Sequence, residues 1–216
     1  MTQQNVSKKI QNFYSKYGSK HYKKGDIIIH SDVDPAGVYL LIDGTVEQSD
    51  ITPAGNRVTV NVYGPGAFFP MSWAINKTPN TYLFTATADV VLKCAHADEI
   101  IDFVFNNPDV MFDLLSRVYR GTDALLKRSV LTASGIAKHR VILELLIEAQ
   151  RFGSPHYHGK TRINIRRHDL AARSGLARET ISRELHKLED AGMLELHKHN
   201  ILLDTDALEQ YLSKHT

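Results

Sequence analysis

Four polar side chains between positions 178 and 183 have the chemistry and the spacing to recognise base pairs. They are Arg178, Glu179, Ser182 and Arg183. In a helix they share one face, because two pairs of them stand four residues apart. Arginine can donate two hydrogen bonds to guanine, glutamate can accept one from cytosine, and serine can serve either role. The pattern therefore indicates a helix that reads base edges in the major groove of double-stranded DNA.

The residues around this set predict a helix-turn-helix. Two short helices that cross closely need a small residue in the first helix and a permissive residue at the turn, and Ala171 and Gly175 supply them. The second helix also needs an apolar face to pack against the first. Ile181, Leu185 and Leu188 form such a stripe at helical spacing.

A basic segment and a short β-hairpin complete the predicted DNA-binding unit. Residues 160–187 contain eight basic and three acidic residues, whereas residues 1–137 contain thirteen of each. A solvated surface helix is the alternative, but a glutamate beside phosphates is costly unless it reads a base. Two apolar strands at 193–197 and 201–204 predict a wing after the second helix. The side chains expected to contact phosphates are Arg167, Arg173, Thr180, Lys187 and Lys198.

The N-terminal half has the pattern of a β domain. Residues 26–30, 37–42 and 57–63 are short, rich in β-branched and aromatic residues, and separated by turn residues. Strands that recur at this spacing suggest a sandwich or a barrel. After Pro108 the apolar residues recur at helical spacing as far as Ser134 and Gly135, where a stop or hinge is expected.

We therefore predict an α+β chain of three parts. Residues 1–107 form a β jelly-roll barrel that acts as a sensor domain, residues 108–135 a long dimerisation helix and hinge, and residues 136–216 a winged helix-turn-helix DNA-binding domain. Polar Thr122 and Ser129 interrupt the apolar stripe of the long helix, so a strict coiled coil is not indicated. A packed core helix is the alternative to a dimer helix.

Both halves resemble one family. Residues 176–185 and 188–194 are similar to the recognition helix of CRP/FNR transcription regulators, and residues 24–28, 38–46 and 64–69 to the family's cyclic-nucleotide-binding-type jelly roll. The resemblance implies a homodimer that binds a palindromic, TGTGA-like DNA site, with RNA polymerase as a further partner. It also implies that Arg178, Glu179 and Arg183 read the half-site, with a contact from Ser182 that is typical of the FNR branch.

The sensor half departs from the relatives that bind cyclic AMP. Met71 stands where those relatives carry a glutamate for the ribose, and Thr81 where they carry an arginine for the cyclic phosphate. We therefore expect an effector other than cyclic AMP, although a cyclic-nucleotide-responsive regulator with a divergent pocket stays an alternative. Haem, with His30 or His96 as a ligand, is a minor option. Two interpretations are open for the apolar residues of this half, a site for an apolar small-molecule effector or simple packing of the barrel, and the residues considered for the effector are Phe69, Met71, Trp73 and Tyr82.

Composition and motifs bear on the other kinds of site and protein that this chain could represent. The single cysteine, Cys94, excludes an intrachain disulfide and a cysteine-ligated cluster, and no required cofactor or metal site is expected. No signal peptide or membrane span is indicated, so a cytoplasmic protein is expected. We predict a protein that is not an enzyme. The alternatives are a cupin-like metal enzyme fused to a winged helix, for which the His-x-His pairs at 156–158 and 197–199 are the candidates, and a scaffold whose winged helix binds protein.

Overall fold

A computed structural model describes residues 3–51, 55 and 57–215 of the chain, which divides into two compact units between Arg120 and Gly121. The N-terminal unit contains most of the strands. Its elements are α1 (Gln3–Tyr14), β1 (Ser19–Tyr22), β2 (Ile27–Ile29), β3 (Val38–Asp43), β4 (Val46–Ile51), β5 (Arg57–Tyr63), β6 (Phe68–Phe69), α2 (Met71–Asn76), β7 (Leu83–Ala86), β8 (Val90–Ala95), α3 (Ala97–Phe105) and the first half of α4 (Pro108–Ala133).

The eight strands that the structure describes in this unit form two antiparallel sheets, in the orders β1-β8-β3-β6 and β2-β7-β4-β5. The first four residues of strand β3 form a continuous apolar run and are all buried, so both faces of the strand are covered there. Its residues Tyr39 and Leu41 belong to an inner core with members from both sheets, whereas Val38 and Leu40 belong to a helix-side core with residues of α1, α2, α3 and α4.

The sequence prediction of a jelly-roll barrel is wrong in one respect, since the two sheets do not close into a barrel. In the described part of the chain, β1 and β6 end one sheet and β2 and β5 end the other. The unit is therefore a sandwich, and closure would have needed strands that pair across both edges.

The helix-side core also includes an N-terminal helix that the sequence analysis did not identify. Val6, Ile10 and Tyr14 stand four residues apart along α1 and are buried against the first sheet and α3. The Tyr14 hydroxyl donates to the Val38 carbonyl at 3.1 Å. Near the middle of α1, Lys9 Nζ lies 2.7 Å from a carboxylate oxygen of Asp109.

The C-terminal unit is a small helical domain with one sheet. It takes in the second half of α4, α5 (Ala137–Phe152), β9 (Ser154–Pro155), a 3-10 turn (Tyr157–Gly159), β10 (Thr161–Ile163), α6 (Arg167–Ser174), α7 (Arg178–Asp190), β11 (Leu194–Leu196), β12 (Ile201–Leu203) and α8 (Thr205–His215). The sheet has the order β11-β12-β10-β9. One core joins apolar residues of α5, α6, α7, α8 and the sheet, and it includes Val141, Leu145, Ile163, Leu170, Ile181, Leu185, Leu188, Leu203 and Leu208.

None of the described helices is both long enough and apolar enough to cross a lipid bilayer.

Candidate nucleic-acid interface

The turn between α6 and α7 is fixed by a glycine. Gly175 ends α6 in the left-handed region, with φ of 64° and ψ of 33°, and both its N–H and that of Leu176 donate to the Ala171 carbonyl. A Cβ at this position would lie 2.8 Å from a guanidinium nitrogen of Arg140. That same Arg140 guanidinium donates to the carbonyl of Ser174, the last residue of α6. The sequence therefore needs glycine here for both its backbone angle and its lack of a side chain.

Helix α7 has two faces that differ in chemistry. Ile181, Leu185 and Leu188 are each 0% exposed and join the core of the C-terminal unit. Among the residues predicted to read bases, Arg178, Glu179 and Arg183 are exposed, and Ser182 is half-buried. The structure thus brings the four predicted side chains to the solvent side of the helix.

The backbone N–H groups in the first turn of α7 are available to a hydrogen-bond acceptor. Ala177 occupies the N-cap position, and no side chain there accepts from the first N–H groups of the helix. Thr180 is half-buried in that turn. From α6, exposed Arg167 donates to the hydroxyl of Ser182 at 3.4 Å. Unsatisfied N–H groups and nearby cationic side chains make this a suitable environment for phosphate.

A buried carboxylate lies beneath the exposed basic groups of α7. Glu184 is 5% exposed, with Lys187 Nζ at 2.9 Å and Arg183 Nε at 3.5 Å from its oxygen. Burial opposes ionisation of Glu184, but the hydrogen bonds from Lys187 and Arg183 hold its pKa below the usual range. Arg183 keeps 64% of its side chain exposed, so this contact leaves its guanidinium accessible.

The wing is a hairpin of β11 and β12. Their connection is closed by a hydrogen bond from the His197 N–H to the Asn200 carbonyl at 3.0 Å, and Lys198 is exposed at its tip. At the base, Lys160 Nζ lies 2.5 Å from a carboxylate oxygen of Glu195 and lowers the pKa of that carboxyl. Lys198 is thus an exposed cation at the end of a small, braced hairpin.

Arg173 differs from the other residues expected to contact phosphates. Its Nη1 lies 2.5 Å from a carboxylate oxygen of Glu148 on α5, and the two side chains are 14% and 7% exposed. Arg167, Lys187 and Lys198 are exposed. The guanidinium of Arg173 therefore holds α6 against α5, a contact that the basic charge pattern alone did not suggest.

Arg173→Ala is expected to lower the free energy of unfolding by about 3–5 kcal/mol, because it leaves the buried Glu148 carboxylate without its partner. Denaturant unfolding followed by circular dichroism measures the change. The double variant Arg173→Leu with Glu148→Leu should recover most of the loss, since neither charge is then buried alone. An Arg173→Ala chain as stable as the original would contradict the assigned contact.

The residues considered for an apolar effector do not lie together. Phe69 belongs to the inner core and Tyr82 packs against it, whereas Met71 belongs to the helix-side core and Trp73 packs against that. Thr81, at the position where an arginine was expected in cyclic AMP receptors, is exposed. The effector site stays a prediction. Two of its four residues lie with the inner core and two with the helix-side core.

Stacked rings occupy the inner core. Among the described residues, the ring of Phe69 stacks on three others, with ring centroids 5.7 Å from Tyr39, 5.0 Å from Tyr63 and 5.4 Å from Phe84. Phe69 and Phe84 are each 0% exposed. Such packing adds to the stability gained from burial of the rings.

The histidines considered as metal or haem ligands are scattered. His30 and His96 are exposed. The His-x-His pairs fall in the C-terminal unit, one around the 3-10 turn and the other in the wing turn, and neither lies on the sandwich strands that a cupin site would use. Within residues 3–51, 55 and 57–215, no group of three or more histidine, cysteine, aspartate or glutamate side chains could hold a metal ion.

Each of the two units matches a model of a known protein family. A model of the cyclic nucleotide-binding domain matches residues 19–107, and a model of the Crp-like helix-turn-helix domain matches residues 139–211. The chain belongs to the CRP/FNR family of transcriptional regulators. Regulators of the CRP/FNR family bind DNA and act as dimers.

Individual members of the CRP/FNR family are distant but match most of the chain. The cyclic AMP receptor protein of Thermus thermophilus is 27% identical over 178 residues, covering 81% of this chain and 78% of that protein. The global nitrogen regulator of a Nostoc species is 27% identical over 176 residues, covering 78% and 77%. These CRP/FNR relatives are transcriptional regulators.

The fold is shared with a solved CRP/FNR regulator from Thermus thermophilus. The two chains superpose with a TM-score of 0.70 at 22% identity, over 91% of this chain and 98% of the other. The likeness covers the sandwich, the long helix and the helix-turn-helix.

Proposed function

We propose that this chain is a homodimeric transcription regulator that reads a palindromic, TGTGA-like DNA site with the exposed face of α7. The main support for the proposal is that α7 has one buried apolar face and one exposed polar face. Its apolar stripe is buried, while Arg178, Glu179 and Arg183 are exposed near its N-terminal end. A recognition helix presents side chains to the major groove from that end.

Base reading follows from the chemistry of these side chains. Arg178 and Arg183 each offer the paired donors that match guanine O6 and N7, and Glu179 offers an acceptor for the amino group of cytosine. Ser182, held near Arg167, adds a short hydroxyl on the same side. The proposal assigns base recognition to these four residues and phosphate contacts to Arg167, Thr180, Lys187 and Lys198, with Arg173 acting through the position of α6.

The long helix supports self-association. Large apolar side chains along α4 are between 36% and 73% exposed, a stripe that a single chain leaves uncovered, and they are Met111, Phe112, Leu115, Val118, Tyr119, Leu125, Leu126 and Val130. A second copy, related by a two-fold axis, presents the same stripe and can cover it. We therefore propose the three-part organisation into a sensor domain over 1–107, a dimerisation helix and hinge over 108–135, and a DNA-binding domain over 136–216.

Salt dependence tests whether the basic face binds DNA rather than a protein partner. Three cations per protomer, Arg167, Lys187 and Lys198, neutralise six phosphates in the dimer, so log K should fall against log salt with a slope of about −5. Lys198→Ala should make the slope shallower by about 2 and weaken all sequences about equally. Fluorescence anisotropy with a labelled duplex measures both values. Affinity that does not change with salt would favour a protein-binding scaffold.

Cyclic AMP is expected to leave this protein unchanged. The methionine at position 71 offers only a weak thioether acceptor to a ribose hydroxyl, Thr81 carries no charge for the cyclic phosphate, and stacked rings occupy the inner core. A specific ligand present at 100 times its dissociation constant stabilises a fold by about 2.7 kcal/mol. Melting curves with millimolar cyclic AMP should show no such shift. A saturable rise in melting temperature would favour the alternative, a cyclic-nucleotide regulator with a divergent pocket.

A further inference from the structure

The connection between α4 and α5 is short, and local hydrogen bonds end α4 there. Ser134 donates through its N–H to the Val130 carbonyl at 3.1 Å, and its hydroxyl donates to the Leu131 carbonyl at 2.7 Å. Gly135 has a φ of 71°, and a Cβ there would meet no heavy atom within 4 Å. Ile136 is 46% exposed. These contacts end α4, but they leave the direction of α5 to other interactions.

An ion pair spans this connection. On the last turns of α4, Arg128 donates from Nε to Glu144 Oε1 at 2.5 Å and from Nη2 to Glu144 Oε2 at 2.8 Å. The Glu144 side chain is 2% exposed and that of Arg128 is 26% exposed. Two parallel hydrogen bonds between planar groups fix orientation as well as distance, and a lysine cannot reproduce them.

Glu144 is the middle member of a polar strip on α5. The strip consists of Arg140, Glu144 and Glu148, which stand four residues apart and so share one face. Arg140 donates to the carbonyl that ends α6, and Glu148 binds Arg173 of α6. The same face of α5 therefore holds the end of α4 through its middle member and the first helix of the helix-turn-helix through the other two.

We propose that Arg128 and Glu144 are positioning residues that set the angle between the end of α4 and the helix-turn-helix, and thereby select the spacing between the two DNA half-sites. The inference rests on the proposed function, in which α4 is the dimer helix. In a two-fold dimer a change in that angle moves both recognition helices, so their separation along the DNA changes. The base-reading side chains lie on α7 and are not altered.

Selection from random duplexes with the full chain tests the proposal, because it reports half-site sequence and half-site spacing separately. The main variant is Arg128→Leu combined with Glu144→Leu, which removes the pair without leaving a buried charge alone. Lys127→Gln is the matched control, since it removes a cation from the same turn and that side chain is exposed. The original chain and the control should each enrich one spacing.

The double variant should enrich the same half-sites at several spacings, and its affinity for the original spacing should fall about tenfold. A merely structural role would lower the melting temperature or the active fraction without broadening the spacing. A folded double variant that keeps the single original spacing overturns the proposal. If circular dichroism shows the double variant unfolded, Arg128→Lys, which keeps the charge but not the paired geometry, is judged by the same criterion. Failure of the original chain to enrich any palindrome would instead overturn the proposed function.

Discussion

Arg183→Ala is expected to weaken binding to the best half-site by about 1–3 kcal/mol and to relax the sequence preference at the base pair that Arg183 contacts. The side chain is 64% exposed on the solvent-facing side of α7, and its Nε lies 3.5 Å from a carboxylate oxygen of Glu184. Its loss should therefore change recognition far more than stability. Titration of matched duplexes that differ at single positions measures the preference, and thermal melting checks the fold.

The control for Arg183 is Arg151→Ala, which removes an exposed arginine from the end of α5 in the same unit. It should lower the affinity for all sequences slightly and leave the preference intact. An Arg183→Ala chain that binds its best site as before would show that the base-reading face is assigned incorrectly.

Leu126→Gln combined with Val130→Gln is expected to convert the dimer into monomers. Both side chains are more than 60% exposed in the single chain and lie four residues apart on α4, so a partner would bury them together. Each apolar side chain that loses its burial costs about 1.5–3 kcal/mol, and the substitution occurs in both protomers. Sedimentation equilibrium measures the association, and affinity for a full palindrome should fall toward that for one half-site.

Lys127→Gln is also the matched control for this experiment, because it introduces a glutamine at a position between Leu126 and Val130. It should sediment as the original chain does. A dimer that survives both apolar substitutions would place the interface elsewhere and remove the dimer role from α4.

Much of the fold could be predicted because local pattern and burial agree. The strand predicted over 57–63 is β5, and the helix predicted to run from Pro108 to Ser134 is α4, which ends at Ala133. Gly175 was predictable from the turn alone, since glycine adopts left-handed backbone angles without the steric cost that a Cβ brings. The α7 face was predictable because a helix must bury its apolar stripe and expose the other side.

Of the helices that the sequence analysis did not identify, two have a clear pattern in the sequence. Helix α8 has Leu208, Tyr211 and Leu212 at helical spacing after the wing, and α1 has Val6 and Ile10 at similar spacing near the start. Barrel closure was predicted wrongly for a different reason. Strand spacing along a chain does not say whether the edge strands pair with one another.

The ion pairs of α5 could not be read from the sequence. Glu144 and Glu148 follow the helical period of a solvated face, and charged residues are rarely buried unless they are paired. Their partners, Arg128 and Arg173, come from different helices. Only the packing of α4 and α6 on α5 shows that these arginines neutralise buried carboxylates.

The central claim is that two copies of α7 read a symmetric DNA site. Selection of random duplex DNA by the purified chain at low salt, with no ligand added, tests it most directly. We expect enrichment of a two-fold palindrome with TGTGA-like arms whose centres are about 34 Å apart along the duplex. Enrichment of an asymmetric motif, or no enrichment at all, would contradict it.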